Sequence, residues 1–151
     1  SEGKFAGICE LDGKVYCCPS NASYVLVIDP GSAAPGSATL SRIQLGMRRE
    51  DKWSGIVAFE GMLYCAPCGQ SSVLQIDPKN KTHNLLETGE SATTIDRWDG
   101  ICECNGRLYC APSDMTSILV MTKQEKRIQK QKTHAHVDHG VQIRKTKSLR
   151  G

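Results

Sequence analysis

The thiols, imidazoles and carboxylates are the residues of this sequence best suited to chemistry, and its eight cysteines stand out first. Cys65-Ala66-Pro67-Cys68 has the spacing of a thioredoxin-type pair, whose reactivity depends on a helix N-terminus that lowers the first thiol's pKa. The same stretch recurs as Cys17-Cys18-Pro19-Ser20 and Cys110-Ala111-Pro112-Ser113, so the first cysteine is a repeated position and Cys68 a local replacement of serine. Packing is therefore expected of Cys17, Cys65 and Cys110, because a buried free thiol behaves as a small hydrophobe. A zinc site needs paired Cys-x-x-Cys knuckles or added histidines, and the body offers one such pair. No metal or other cofactor is expected there. His134, His136 and His139, with Asp138, have the most metal-like spacing, but no complementary ligand set accompanies them. The unpaired cysteine pattern favours a reducing compartment, which points to the cytoplasm.

Other motifs are read as structural. Asp29 and Asp77 each precede a proline and are expected to form turns by accepting backbone hydrogen bonds. Asn21-Ala22-Ser23 and Asn80-Lys81-Thr82 fit the glycosylation acceptor, which matters only in the secretory path. Nucleophile elbow, phosphate loop and zinc-protease motifs are all missing from the sequence.

The elements that must carry these residues repeat. Trp53–Pro67, WSGIVAFEGMLYCAP, aligns without a gap on Trp98–Pro112, WDGICECNGRLYCAP, and the two share nine of fifteen residues. Phe5–Pro19, FAGICELDGKVYCCP, is a third copy, and Gly7, Gly55 and Gly100 mark periods of 48 and 45 residues. Each copy reads as a strand beginning Gly-Ile, a turn of the Asp-Gly or Asn-Gly kind, and a second strand stopped by proline. A polar loop follows, then a third strand such as Val73-Leu74-Gln75-Ile76, then a weaker fourth near Ser41–Leu45 or His83–Leu86. Alternation puts Leu63 and Cys65 on one face and Tyr64 and Ala66 on the other, so both faces are apolar. Four short antiparallel strands per unit, at a period in the forties, is the pattern of a β-propeller blade.

The expected fold is thus all-β, with repeats over about 4–51, 52–96 and 97–122. The third copy breaks off at Met121-Thr122-Lys123, where Ile-Asp-Pro is expected, and is read as incomplete. Residues 123–151 form a basic tail, expected to be disordered or irregular, with a short helix near Lys123–Lys132 or a stray strand at Val141–Arg144 as local alternatives. Residues 1–122 hold 10 Lys/Arg and 14 Asp/Glu, whereas the tail holds 9 and 2. Nucleic acid is therefore a possible partner through the tail alone, the alternatives being a solvated tail or a wrongly assigned gene end. No apolar run approaches the roughly 20 residues of a membrane-spanning helix, so no membrane association is expected.

Gly-x-Leu-Tyr-Cys-Ala-Pro followed by Val-Leu-x-Ile-Asp-Pro resembles the blades of NHL- and YVTN-type propellers over about residues 4–122. The resemblance implies a propeller architecture and, for most such proteins, binding of a protein or ligand. Propellers close with roughly four to eight blades, so three copies imply a piece of a larger propeller, or an arc that self-associates through open edges. On this resemblance first strands lie near the propeller axis, where Glu10 and Glu103 could line a channel; the second copy has Ala58 at that position. Recognition is expected on the loops between second and third strands, at Ser20, Asn21 and Ser23, at Gly69, Gln70 and Ser71, and at Ser113, Asp114 and Thr116. The chain is accordingly read as a binding or scaffold module. The alternatives are a fragment of a metal-dependent, lactonase-like propeller hydrolase or lyase, and a truncated gene product without a function of its own. The hydrolase would need histidines and carboxylates converging on the axis, and the body holds only His83.

Overall fold

A computed structural model describes residues 2–91, 96–124 and 140–146. Its twelve strands form three four-stranded antiparallel meanders. The first comprises β1 (Phe5–Leu11), β2 (Lys14–Pro19), β3 (Tyr24–Asp29) and β4 (Thr39–Gln44). The second comprises β5 (Trp53–Phe59), β6 (Met62–Pro67), β7 (Ser72–Asp77) and β8 (Thr82–Glu87). The third comprises β9 (Trp98–Cys104), β10 (Arg107–Pro112), β11 (Leu119–Lys123) and β12 (Val141–Lys145).

Local chemistry explains the first hairpin of each sheet. Asp12-Gly13, Glu60-Gly61 and Asn105-Gly106 all have positive φ at both residues, between 49° and 77°. That is the type I′ geometry whose twist matches the flanking strands. The sheets lie face to face, with β1 beside β5 and β5 beside β9. Two apolar layers result. One joins Tyr16, Cys18, Val25, Val27 and Ile43 of the first sheet to Trp53, Leu63, Cys65, Leu74 and Ile76 of the second. The other joins Met62, Tyr64, Ala66 and Val73 of the second to Trp98, Leu108, Cys110, Leu119 and Met121 of the third. The middle sheet is therefore covered on both faces, and every residue of β6 is buried.

The glycines that mark the repeat have a definite task. Pairing of each first strand with its second shifts register just after the aromatic residue, around Gly7, Gly55 and Gly100. Their φ values are 100°, 81° and 72°, so these are bulges that only glycine enters freely. The bulges also stack. A Cβ on Gly7 would lie 3.0 Å from the Gly55 Cα, and one on Gly55 would lie 2.8 Å from the Gly100 Cα.

The third sheet corrects one expectation. It is complete, because the strand offered as a local alternative at Val141–Arg144 does form, as Val141–Lys145, and pairs with β11 over five residue pairs. Edge pairing uses backbone groups, so the strand needs none of the repeat's residues. Val141 and Ile143 pack against the second apolar layer, and Lys145 pairs with Glu90. The helix considered near Lys123–Lys132 falls mostly outside the described residues, as do His134, His136 and His139.

Candidate binding rim

The loops after β2, β6 and β10 lie at one rim, held by a recurring basic residue that stands before each first-strand aromatic. The Lys4 carbonyl accepts bonds from the Ser20 and Ala22 amides, the Lys52 carbonyl from Cys68 and Gln70, and the Arg97 carbonyl from Ser113 and Met115, all within 3.0–3.4 Å. The same residues tie one sheet to the preceding one. Lys52 donates to the Ser20 carbonyl through its amide at 3.2 Å and its Nζ at 2.7 Å, and Nζ also donates to the Arg49 carbonyl at 2.7 Å. Arg97 repeats this on the Cys68 carbonyl, with its amide and Nη1 both at 3.2 Å. Lys52 and Arg97 are fully buried. Burial pushes both pKa values down, and the carbonyl bonds compensate the buried charge in part, since the buried Arg97 Nε meets no acceptor among the described residues.

The expected loop residues divide in two. Asn21, Ser23 and Gly69 line a cavity of about 780 Å³, together with Arg48, Arg49, Glu50, Asp51 and Asp96. Asn21 organises its floor, accepting the Asp51 amide at 2.6 Å and donating to the Glu2 carbonyl at 2.7 Å. Ser20, Gln70, Ser71, Ser113, Asp114 and Thr116 are not part of its lining. Several are engaged through their backbones instead: the Ser71 carbonyl accepts the Thr88 hydroxyl at 2.6 Å, and the Asp114 amide donates to the Asp96 carbonyl at 2.8 Å.

Sequence reasoning missed the charged half of this cavity, which comes from the crossings between sheets. Its signal was present in Asp51-Lys52-Trp53 and Asp96-Arg97-Trp98, with Gly3-Lys4-Phe5 in the first copy. Asp51, Asp96 and Gly3 all have positive φ, from 47° to 69°. Each crossing therefore turns at the residue before the cation. Two arginines and three acidic residues line the cavity, a composition that offers bidentate donors for an acid and acceptors for an amine or amide.

The other candidates are placed as follows. Glu10 and Glu103 are exposed, and each carboxylate accepts the amide of its own hairpin glycine, Gly13 or Gly106, at 2.7 Å. Asp29 accepts the Gly31 amide, and Asp77 accepts Lys79 and Asn80, which is the expected turn chemistry. Cys65 is buried in β6, and burial pushes its thiol well up. Cys68 donates to Asp96 at 3.5 Å; burial first, then that carboxylate, push it up to about 11. A redox pair needs the opposite shift. Among the described residues no three His, Cys, Asp or Glu side chains converge in a metal-like group.

Thiol burial sets a pH dependence. Burial holds Cys9 near 11 and Cys110 near 12, against an ordinary 9.0. Above pH 9 the unfolded chain sheds protons that the native chain keeps, so this stability is whole below pH 9 and fades as pH rises towards 12. Lys52 and Arg97 act in the opposite sense, because their folded pKa values are lowered, but they are two groups against five thiols pushed up by burial. The urea midpoint is expected to fall steadily from pH 8.5 to 10.5. At pH 8, Ellman's reagent is expected to label exposed Cys102 and Cys104 quickly, and Cys65 and Cys110 only on unfolding.

Three tandem four-stranded antiparallel sheets, stacked through apolar faces and clasped by a repeated cation, make this chain a repeat protein consistent with propeller-like blades. No protein-family model matches the chain, and no curated protein matches its sequence.

Proposed function

We propose that the chain is a binding module of the propeller type, with NHL- or YVTN-like blades, that recognises a protein segment at the rim cavity. The cavity itself is the observation that supports this. A space of about 780 Å³ lies where two loops and two crossings meet, within the usual range for ligand sites. Its wall carries Arg48 and Arg49 beside Glu50, Asp51 and Asp96. Charges of both signs suit a peptide that offers an acidic and a basic or amide group, more than a purely anionic ligand. Loops on a scaffold of paired strands are rigidly presented, which lowers the ordering cost of binding.

A peptide display library selected against the immobilised chain tests this. Selected peptides are expected to carry both charge types. They should lose at least about tenfold in affinity when Arg48→Glu or Ser23→Trp alters the cavity, and keep it with Lys79→Glu in the distant β7–β8 turn. Peptides indifferent to both cavity changes would refute the reading.

A further inference from the structure

Among the described residues no sheet covers one face of each end sheet, and the repeat shows what such a face is built to meet. In the middle sheet Tyr64, Ala66, Val73 and Gln75 face the third sheet and are at most 3% exposed. Their counterparts Tyr109, Ala111, Ile118 and Val120 in the third sheet meet no further sheet among the described residues, and all are half-buried or exposed. The first sheet mirrors this. Ile56, which faces back onto the preceding sheet, is 6% exposed, whereas its counterpart Ile8 is 68% exposed. Val15, Leu26 and Ile28 are likewise half-exposed, while Leu63, Leu74 and Ile76 are buried.

Three details of the junction are also left open at matching ends. The glycine stack runs from Gly7 to Gly55 to Gly100, and among the described residues nothing lies within 4 Å of a Cβ placed on Gly100. Lys52 and Arg97 are buried against a carbonyl of the preceding sheet, whereas Lys4 is exposed. That carbonyl belongs to Ser20 and then Cys68; the next in the series is Ser113, on an exposed loop. The forward face of the third sheet and the rear face of the first therefore carry the two halves of the junction that the chain makes twice internally.

We infer that a second copy of this chain docks head to tail, the third sheet of each copy packing on the first sheet of the other, to close a ring of six blades. Gly100 then stacks on the partner copy's Gly7, and the partner copy's Lys4 reaches the Ser113 carbonyl. Six blades lie within the number with which propellers close, and closure at two copies leaves neither apolar face in water. A heterologous contact that does not close gives filaments instead.

Sedimentation velocity of the 151-residue chain over a concentration series tests this. The expected species has twice the 16.5 kDa chain mass. Ala111→Arg places a charge where Ala66 is fully buried, and Ile8→Arg does the same on the rear face. Both positions are exposed in the single chain, so circular dichroism should be unchanged while dimer dissociation constants rise at least about 100-fold. Mixing the two variants is the sharper readout. One junction of the mixed pair then carries both arginines and the other carries none, so association returns in the mixture alone. A monomeric wild type, a ladder of larger species, a dimer indifferent to Ala111→Arg, or a mixture that stays monomeric would each overturn the inference.

Discussion

Replacing Gly55 with valine is expected to destabilise the chain by about 2–6 kcal/mol. Two costs combine. The residue sits at φ 81°, where a β-branched side chain is a genuine outlier and strain is of order 1–3 kcal/mol. The new Cβ would also lie 2.8 Å from the Gly100 Cα and 3.2 Å from the Ile101 nitrogen. Backbone cannot swing aside as a flexible side chain can, so the second and third sheets must separate, and overpacking of this kind adds about 1–3 kcal/mol. Against a total of 5–15 kcal/mol for a typical domain that is a large share. Gly61→Ala supplies the control. Gly61 has φ 77° with nothing within 4 Å of an added Cβ, so it carries the conformational cost alone. Equilibrium urea denaturation of Gly55→Ala and Gly61→Ala therefore separates the contact from the turn. Equal losses would mean that the first strands do not meet at the glycines.

Trp98→Ala is the second large effect, expected at about 3–5 kcal/mol and a fall in Tm on the order of 10 °C. The indole is fully buried between the second and third sheets. Its Nε1–H donates to the Ser117 carbonyl at 2.8 Å, as that of Trp53 does to the Ser72 carbonyl at 2.9 Å. The side chain therefore fills the layer and holds the end of the loop after the second strand. Trp98→Phe separates these roles. It keeps most of the apolar area and leaves the Ser117 carbonyl without its donor, a loss of about 1–3 kcal/mol. Phenylalanine is the residue the first copy uses: Phe5 is half-buried and meets Tyr24 edge-on at 5.7 Å. A loss in Trp98→Phe as large as in Trp98→Ala would show that the hydrogen bond, and not the packing, dominates.

Much of this fold was legible because its signals are local. The paired turn residues before Lys14, Met62 and Arg107 demand positive φ, and the alternation in Leu63-Tyr64-Cys65-Ala66 assigns two apolar faces with no knowledge of partners. The glycines were legible as markers of the period, yet their task was not, since stacking of Gly7, Gly55 and Gly100 joins residues 45 or more positions apart. The strand at Val141–Lys145 escaped the repeat pattern because an edge strand needs only backbone groups and two apolar side chains. The cavity was half legible. Its polar loops carry the familiar turn residues, whereas Arg48, Arg49 and Asp96 reach it from crossings whose path depends on how the sheets stack. The buried cations Lys52 and Arg97 were not singled out in the sequence for a physical reason as well: their burial shows only once a carbonyl of the preceding sheet is found to accept them.

Everything rests on three sheets that stack in chain order with their first strands crossing at the bulge glycines. Proton NMR on the glycine-labelled chain tests that contact directly. The account predicts Hα–Hα Overhauser effects between Gly7 and Gly55 and between Gly55 and Gly100, alongside strand-like shifts for β1, β5 and β9. Strand shifts without either glycine cross-peak, or helical shifts over those segments, would contradict it.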